Sequence, residues 1–460
     1  MSSFFSPLAH PVFRWLFFGQ VVSLLGTGLA TVALALMVYD LSPLQAGLVL
    51  GSALAVKMVA YLGVAPVVGG YSHAFPRRSW LAGLNLGRAV IVILLPFAAE
   101  IWQIFVLIFL LNALAAGYTP VYQALLPDVL TDDDEYTRAL SLSRLAMELE
   151  SLLSPALAAG LLLITSYELL FRLNAVAFVL AAGCIFLVKV PAAAASDRTG
   201  GVWQHVSFGI ISYLKTPRLR GVLALNLALS AAGAMIIVNT VVYVRHVLGM
   251  SESAVPTLMA AAGVGSMITA FLLPKLLDHF SNRSVMLAGG VLFSVALFAG
   301  LSGPGYAGLF PIWFLIGGAT SMVLIPTGRV VRDSCNAGDR NDYFSANFAL
   351  THGMWLVGYL LAGSIGSAWG MQASFAALGV VALLATLLAA KLWRHDDQEN
   401  IWHVHPAQEH LHPHTHDEHH QHEHEGWEGP EPHVHPHYHA KHRHRHRFVI
   451  DEHHAHWPKQ

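Results

Sequence analysis

Residues 191–220 read PAAAASDRTGGVWQHVSFGIISYLKTPRLR and form a polar interlude in a sequence that is otherwise strongly apolar. Residues 1–190 before it and residues 221–394 after it both consist of long hydrophobic runs broken by short turns. Past residue 394 the composition changes completely, and residues 395–460 are rich in histidine. The sequence therefore predicts two matching halves, a polar connector between them and a separate C-terminal tail.

The composition places the chain among membrane proteins. Of its 460 residues, 55% are hydrophobic and 12% are charged, whereas a soluble domain carries about 25% charged residues. The net charge of -2 gives no reason to expect a nucleic-acid partner. Cys184 and Cys335 lack CxxC spacing, so neither a disulfide framework nor a thiolate metal site is predicted.

Twelve apolar runs are long enough to cross a bilayer, which takes about 20 residues. Six lie before the connector and six after it, which predicts an all-α polytopic membrane protein built from two six-helix halves. The expected spans are Val12–Tyr39, Gln45–Gly70, Trp80–Ala98, Trp102–Tyr122, Ser141–Thr165, Leu169–Val190, Val222–Leu248, Ala254–Leu277, Ser284–Leu301, Ala307–Val330, Phe344–Trp369 and Met371–Trp393.

The placement of Lys and Arg predicts the orientation, because cytosolic loops carry an excess of both. With the N-terminus in the cytosol, 17 of the 26 Lys and Arg residues flank the spans on the cytosolic side. Only Arg172 and Arg245 then fall near the outer face. We therefore expect a multi-pass membrane protein with both termini and the connector in the cytosol.

A faint internal repeat supports two matching halves. Pro120, Asp128 and Tyr136 precede or open the fifth span, and Pro326 and Tyr343 stand in corresponding places before the eleventh. The offset is about 207 residues, the length of one half. Parallel six-helix halves are one recognised plan of secondary transporters.

The loop between the second and third spans reads Gly69-Gly-Tyr-Ser-His73-Ala-Phe-Pro76-Arg77-Arg78. Together with the twelve spans, it makes residues 10–394 resemble a major facilitator superfamily transporter, whose corresponding loop is Gly-x-x-x-Asp-x-x-Gly-Arg-Arg. Gly69, Arg77 and Arg78 match that pattern, but His73 stands at the acid position and Pro76 at the second glycine. The resemblance implies a gating loop that lacks the acid of the usual charge lock. The two arginines are expected to face lipid phosphates.

Four ionisable residues lie deep in the spans of the first half, where a charge is costly and marks a functional site or an ion pair. Lys57 lies mid-way along the second span, Arg88 mid-way along the third, and Glu148 and Glu150 about two turns into the fifth. We hypothesise that they share a polar patch on the central cavity, with Glu148 or Glu150 carrying a proton. The alternative is a structural ion-pair network that holds helices together.

The second half is poorer in charge, and its deepest titratable residue is His352, about two turns into the eleventh span. A neutral imidazole is a common metal ligand. A single histidine in a membrane span is more often a hydrogen-bond partner between helices. Both interpretations of His352 stay open.

The tail holds 21 histidines in residues 395–460, many at alternate positions. Interleaved Pro, Glu and Asp disfavour a packed core, so a disordered tail is expected. Imidazole suits Ni, Zn and Cu(II), and the tail is predicted to bind a divalent metal ion. The candidate ligands are His403, His405, His410, His412, His414, His416, His419, His420, His422, His424, His433, His435, His437, His439, His442, His444, His446, His453, His454 and His456.

Twelve spans with a cytosolic histidine-rich C-terminus resemble bacterial nickel-resistance exporters. That resemblance implies export of Ni(II), with Co(II) as a second cargo, driven by the proton gradient, with the tail binding metal. No prosthetic cofactor is expected, and the oligomeric state stays open. The chain has no GxxxxGK[ST] stretch for ATP and no nucleophile–base set, so an enzyme is not predicted.

Two rivals remain. In the first, the fold exports a drug, a siderophore or a metal chelate, and the tail only senses metal. In the second, the tail is a metal store on a membrane anchor, although twelve spans with buried charges exceed what an anchor requires.

Overall fold

The computed structural model describes residues 3–42, 46–194, 201–251, 253–395, 400–405, 408–414, 433–439, 442–450, 454 and 457. Within these residues the membrane part is entirely helical, and short strands occur only in the tail.

The first half consists of six long helices. Each is apolar enough and long enough to cross a membrane. Helix α5 begins where the Asp132 side chain accepts a hydrogen bond from the Glu135 amide, which caps the helix. The six helices are α1 (Pro11–Leu41), α2 (Ala46–Tyr71), α3 (Arg77–Leu94), α4 (Ile101–Val129), α5 (Asp133–Leu162) and α6 (Tyr167–Phe186).

The connector contains a helix of its own, α7 (Val202–Lys215), which the sequence analysis did not assign. It lies between α2 of the first half and the last helical segment of the second half. Two glycines permit the close approach, since a Cβ at Gly70 would press on the Val202 backbone and one at Gly209 on the Asp342 backbone.

The second half begins with α8 (Pro217–Ala234), whose helix continues through the π-helical segment Met235–Asn239, α9 (Thr240–Val242) and the π-helical segment Tyr243–Val247. It continues with α10 (Ala254–Leu277), α11 (Asn282–Ala299), α12 (Tyr306–Arg332) and α13 (Arg340–Leu392).

Helix α13 contains two spans. Its 53 residues would reach about 80 Å at 1.5 Å per residue, far more than a bilayer core. Gly370 breaks it, with φ 82° and ψ 178°, a conformation that favours glycine. The described helices therefore supply twelve spans. The fold prediction is confirmed, including the boundary between the eleventh and twelfth spans.

The two halves have largely separate apolar cores, share one small apolar cluster and meet most extensively along two helix pairs. The second-half core gathers around Trp313, Phe293 and Phe375, while the first half packs around Phe171 and Tyr136. Helix α2 contacts α13, and α5 contacts α10. These two seams bring residues that are distant in sequence into one interface.

The tail contains four strands, β1 (Asn400–His405), β2 (Gln408–His414), β3 (His433–His439) and β4 (His442–Arg447). Strand β1 pairs antiparallel with β4, and β2 pairs antiparallel with β3. The composition of the tail predicts no regular structure, whereas its described residues form these two ladders. Residues 448–450 then pack against the helical bundle.

Candidate functional site at the interface of the two halves

One end of the bundle, which we name the basic end, carries α7 and the loops around residues 72–76 and 333–339. At this end Asp128 of α4 is bridged by two arginines. Arg77 donates to Asp128 Oδ2 at 2.5 Å, and Arg340 of α13 pairs with Asp128 Oδ1. Because Arg340 belongs to the second half, a single carboxylate joins the two halves.

Asn341 extends this contact. Its Nδ2 donates to Ser72 Oγ at 3.0 Å, and its Oδ1 accepts from Arg77 Nη2 at 3.4 Å. Beside it Gly69 lies so close to Ser345 that a Cβ would collide with the serine side chain. The predicted gating loop therefore does lie at the interface of the halves.

The structure supplies an acid that the gating loop of this chain lacks. Asp128 is the partner of Arg77, and only the internal repeat drew attention to its position. The expectation that Arg77 faces lipid phosphates is wrong, because Arg77 is 3% exposed and bonded to protein. Arg78 instead donates to the Phe186 carbonyl at the end of α6. The side chain of His73 is not among those that the structure describes.

A second set of contacts closes the basic end between α5 and α12. Arg329 donates to Thr137 Oγ1 at 2.7 Å, and Arg332 pairs with Asp133 at 2.8 Å. The Arg332 guanidinium also lies 4.9 Å from the Tyr136 ring centroid. Among the described residues, polar contacts between the halves lie at this end or mid-way along the spans, so the basic end is the closed one.

Mid-way along the spans, Glu148 of α5 forms a polar chain with the second half. It pairs with Arg144 one turn earlier, and Ser266 Oγ of α10 donates to Glu148 Oε1 at 2.8 Å. Arg144 Nε donates back to Ser266 Oγ at 3.1 Å. Ser321 of α12 donates to the Ser266 carbonyl at 2.9 Å. The Glu148 side chain is 13% exposed, so its charge is held within the protein.

Arg144 is one of the 17 Lys and Arg residues that the charge pattern places at the cytosolic ends of the spans, so its partnership with Glu148 was not predicted. The i,i+4 spacing of Arg144 and Glu148 on one helix was the available signal. Glu150 lies on another face of α5, where it and Ser154 approach Gly28 of α1 so closely that a Cβ there would collide with both. The two predicted acids therefore have different neighbours.

Lys57 and His352 meet at the other seam, between α2 and α13. Lys57 Nζ lies 5.5 Å from the Tyr61 ring centroid, and the Tyr61 ring stands edge-on to His352 at 4.7 Å. His352 Nδ1 donates to the Phe348 carbonyl at 2.7 Å. Since a carbonyl only accepts, Nε2 of the neutral ring is the atom that remains available as a ligand.

Arg88 is surrounded by aromatic rings. Its guanidinium lies 4.0 Å from the Phe178 ring centroid and 6.0 Å from that of Tyr118, and Nη1 donates to Asn85 at 3.5 Å. Its Nε is buried and has no hydrogen-bond partner among the described residues. Cation–π contacts and one long hydrogen bond thus hold the charge in place.

The hypothesis that the four residues share a polar patch stays a prediction. No hydrogen bond or ion pair between described residues links Lys57 or Arg88 to Glu148 or Glu150. Within the described residues of the membrane part, no group of three or more His, Cys, Asp or Glu is placed to hold a metal ion. The roles of the four residues and of His352 stay predictions.

The tail ladders set histidines directly opposite one another. The register pairs His403 with His444, His405 with His442, His410 with His437, His412 with His435, and His414 with His433. His439 and His446 also lie in the strands, and His454 is buried against Phe448. The remaining predicted ligands, His416, His419, His420, His422, His424, His453 and His456, lie outside the described residues.

The family model of the Major Facilitator Superfamily matches residues 16–229 and 223–445 of this chain. The chain belongs to the major facilitator superfamily. This major facilitator protein is a transporter by family, as the spans and the gating loop predict.

Its similarity to curated relatives is distant, and for some of them it extends over most of the chain. It is 25% identical over 399 residues to the uncharacterized MFS-type transporter YfiS of Bacillus subtilis, which covers 81% of this chain and 92% of YfiS. Macrolide efflux protein A of Streptococcus pyogenes is 21% identical over 178 residues, which covers 38% of this chain and 43% of the relative.

Solved structures share the fold. The human organic anion transporter MFSD10 (TETRAN) superposes with a TM-score of 0.70 at 15% identity, covering 82% of this chain and 99% of the other. A bacterial homologue of the iron transporter ferroportin, in an outward-facing state, superposes with a TM-score of 0.65 at 17% identity, covering 83% of this chain and 98% of the other.

Proposed function

We propose that this major facilitator protein exports a divalent metal cation from the cytosol, with Ni(II) as the main cargo and Co(II) as a second one. Proton-coupled alternating access between the two halves moves the cation across the bacterial cytoplasmic membrane, and the basic end faces the cytosol. The histidine-rich tail binds metal beside that end and raises its local concentration.

The observation that carries this proposal is the register of the tail strands. Five positions in the two ladders pair histidine with histidine across the strands. Directly opposed residues of an antiparallel ladder have Cβ atoms about 5 Å apart, and alternate positions of a strand share a face. Neighbouring pairs on one face, such as His403–His444 and His405–His442, thus bring four imidazole-bearing positions together. Imidazole nitrogen is a ligand that Ni(II) accepts.

The contacts of Glu148 support proton coupling. Its carboxylate is held by Arg144 in its own half and by Ser266 in the other half. Protonation would weaken the ion pair with Arg144, and separating the halves would remove the hydrogen bond from Ser266. A carboxyl group so placed links its protonation to the movement of the halves.

Metal accumulation in bacterial cells that lack their own nickel exporters tests the proposal. Cells with and without this protein are exposed to Ni, Co, Zn and Cu, and intracellular metal is measured. We expect lower nickel in cells that express the protein and restoration of nickel when the proton gradient is collapsed. Unchanged content of every metal overturns the cation proposal.

The contribution of the ladders is tested in the same cells with the chain kept at full length. Replacing the five opposed histidine pairs with Asn should weaken nickel tolerance and lower the number of Ni(II) ions bound by the purified protein. Replacing Arg443 and Arg445 with Gln in the same strand is the matched control and should leave nickel binding unchanged.

A second candidate function is the export of a negatively charged organic molecule or metal chelate, with the tail as a metal sensor. The specific observation is that Lys57 and Arg88 form no ion pair among the described residues, although both lie mid-way along spans. A cation without a protein counter-ion in such a place suits an anionic cargo. The likeness to macrolide efflux protein A, over part of the chain, also favours an organic cargo.

Supplying nickel either as the free ion or as its citrate complex to inside-out vesicles separates the two candidates. Uptake of the free ion supports the first proposal. Uptake of nickel only together with citrate supports the second.

A further inference from the structure

The end of the chain packs on the basic end as a defined element, which we name the chain-end segment: Phe448, Val449, Ile450, His454 and Trp457. Phe448, Val449 and Ile450 are each 3% exposed. The Phe448 ring lies 5.0 Å from that of Trp457 and 4.6 Å from that of His454, measured between centroids. Such burial excludes a merely solvated terminus for these residues.

The surface beneath the chain-end segment comes from three parts of the fold. Phe208 of the connector helix packs against Phe448 and Ile450. Tyr343, at the start of the eleventh span, donates its hydroxyl to the Ile450 carbonyl at 3.1 Å. The Arg218 guanidinium, at the start of the seventh span, lies 5.5 Å from the Trp457 ring centroid. The segment thus joins the connector to the second half.

Tyr343 belongs to the helical turn that closes the basic end. The preceding residues in that turn are Arg340, which pairs with Asp128, and Asn341, which donates to Ser72. Asp342 lies 2.8 Å from His205 of the connector helix. Fixing Tyr343 therefore orders the turn that supplies two of the second half's polar contacts to the first half.

The chain-end segment also follows a histidine ladder directly. Strand β4 ends at Arg447, and Phe448 is the next residue. No flexible spacer separates the ladder from the segment, so a change in the ladder acts on the segment through one peptide bond.

We propose that the chain-end segment is an intramolecular clamp that holds the first turn of the eleventh span in its closed position, and that metal binding in the β1–β4 ladder changes the closure of the basic end through this clamp. The clamp itself is independent of the proposed function. Its response to metal rests on the metal-binding tail of that proposed function.

Hydrogen–deuterium exchange on the full chain tests the docking. Ile450→Asp places a carboxylate in the apolar contact and should speed exchange several-fold in residues 202–215 and 340–345. Leu411→Asp, an apolar-to-acid change in the same tail but outside the segment, is the control and should leave both regions unchanged. Equal exchange in the wild type and Ile450→Asp overturns the clamp.

Thiol labelling tests the effect on closure. Ser345→Cys is the reporter, because Ser345 is 2% exposed, faces Gly69 of the other half and forms no side-chain hydrogen bond among the described residues. Adding Ile450→Asp should raise the maleimide labelling rate several-fold, and adding Tyr343→Phe should raise it less. A rate that neither change alters overturns the clamp. The protein without Ser345→Cys corrects for the two native cysteines, both of which are buried.

Ni(II) added to the purified reporter protein tests the metal response. A change in labelling rate that disappears in the Ile450→Asp background supports coupling through the segment. No change, or an equal change in both backgrounds, overturns it. These readouts need no transport, so loss of the nickel-export proposal and loss of the clamp are distinguishable.

Discussion

Asp128 and Arg340 form an ion pair across the two halves of the protein, on a carboxylate that also accepts from Arg77 at 2.5 Å. Neither half can rotate away at the basic end without breaking this pair. The Asp128 side chain is 17% exposed and that of Arg77 is 2% exposed. Water therefore reaches these charges only in part and compensates only partly for a lost ion pair. Opening the basic end therefore requires the loss of this ion pair.

Asp128→Asn should shift the protein towards an open basic end. The change leaves Arg77 and Arg340 without a carboxylate, and removing one partner of a buried charge pair costs about 2 kcal/mol or more. The Ser345→Cys reporter should then label at least about ten times faster. Asp134→Asn is the matched control, because Asp134 is 61% exposed and forms only a 3.7 Å pair with Arg138. Equal rates in the two variants would show that Asp128 does not hold the gate.

Glu148→Gln should abolish proton-driven nickel transport and spare folding. The amide keeps the shape and can still accept from Ser266, but it cannot release a proton or pair with Arg144. Nickel uptake into inside-out vesicles under an imposed pH gradient measures the loss, and thermal unfolding in detergent checks the fold. Glu168→Gln is the control. Its carboxylate accepts a hydrogen bond from Ser166 Oγ, and the variant protein should transport nickel normally. Wild-type transport in Glu148→Gln removes this residue from the mechanism.

Lys57→Met separates the two candidate cargoes. If the cargo is anionic, the loss of this charge should lower its transport at least about tenfold. A hydrogen bond to a charged group contributes about 1.5–3 kcal/mol, and the variant cannot form one with the cargo. If the cargo is a bare Ni(II) ion, transport should be retained, since a nearby positive charge only repels it. Uptake of free and of citrate-bound nickel is measured for the wild type and for Lys57→Met. Lys189→Met, a change at an exposed lysine, is the control.

Gly370→Ala should destabilise the junction of the last two spans. The residue has φ 82° and ψ 178°, and no atom lies within 4 Å of a Cβ placed there, so the expected cost is backbone strain alone. That strain is roughly 1–3 kcal/mol, which thermal unfolding of the purified protein should detect. Gly51→Ala, at a helical glycine with the same open space, should be neutral or stabilising. A similar shift for both variants would contradict the strain argument.

The contacts of the site show where sequence reasoning stops. Position within an apolar run was enough to identify Lys57, Arg88 and Glu148, because a charged residue mid-way along such a run is visible in the sequence. Their partners were not visible, because Ser266 lies more than a hundred residues from Glu148 and carries no pattern of its own. Arg144 was assigned to the cytosolic end of a span and not to the interior, because the sequence does not define the end of a span to within one helical turn.

The tail gives the opposite case. Its histidines and their alternate spacing are visible in the sequence, and so is their suitability for metal. The opposition of His403 to His444 requires a register, which is a property of strand pairing and not of spacing along one strand. The docking of Ile450 under Tyr343 had no sequence signal beyond three apolar residues in a polar tail.

The sequence by itself determined the number of spans, the two halves, the connector and the break at Gly370, because transfer of apolar residues into a bilayer is a local property of each run. The tertiary structure alone decided which charges pair, which end is closed and where the chain end docks. Those contacts join Asp128 to Arg340 and Tyr343 to Ile450 across about a hundred residues or more, and such pairings depend on how whole helices pack against one another.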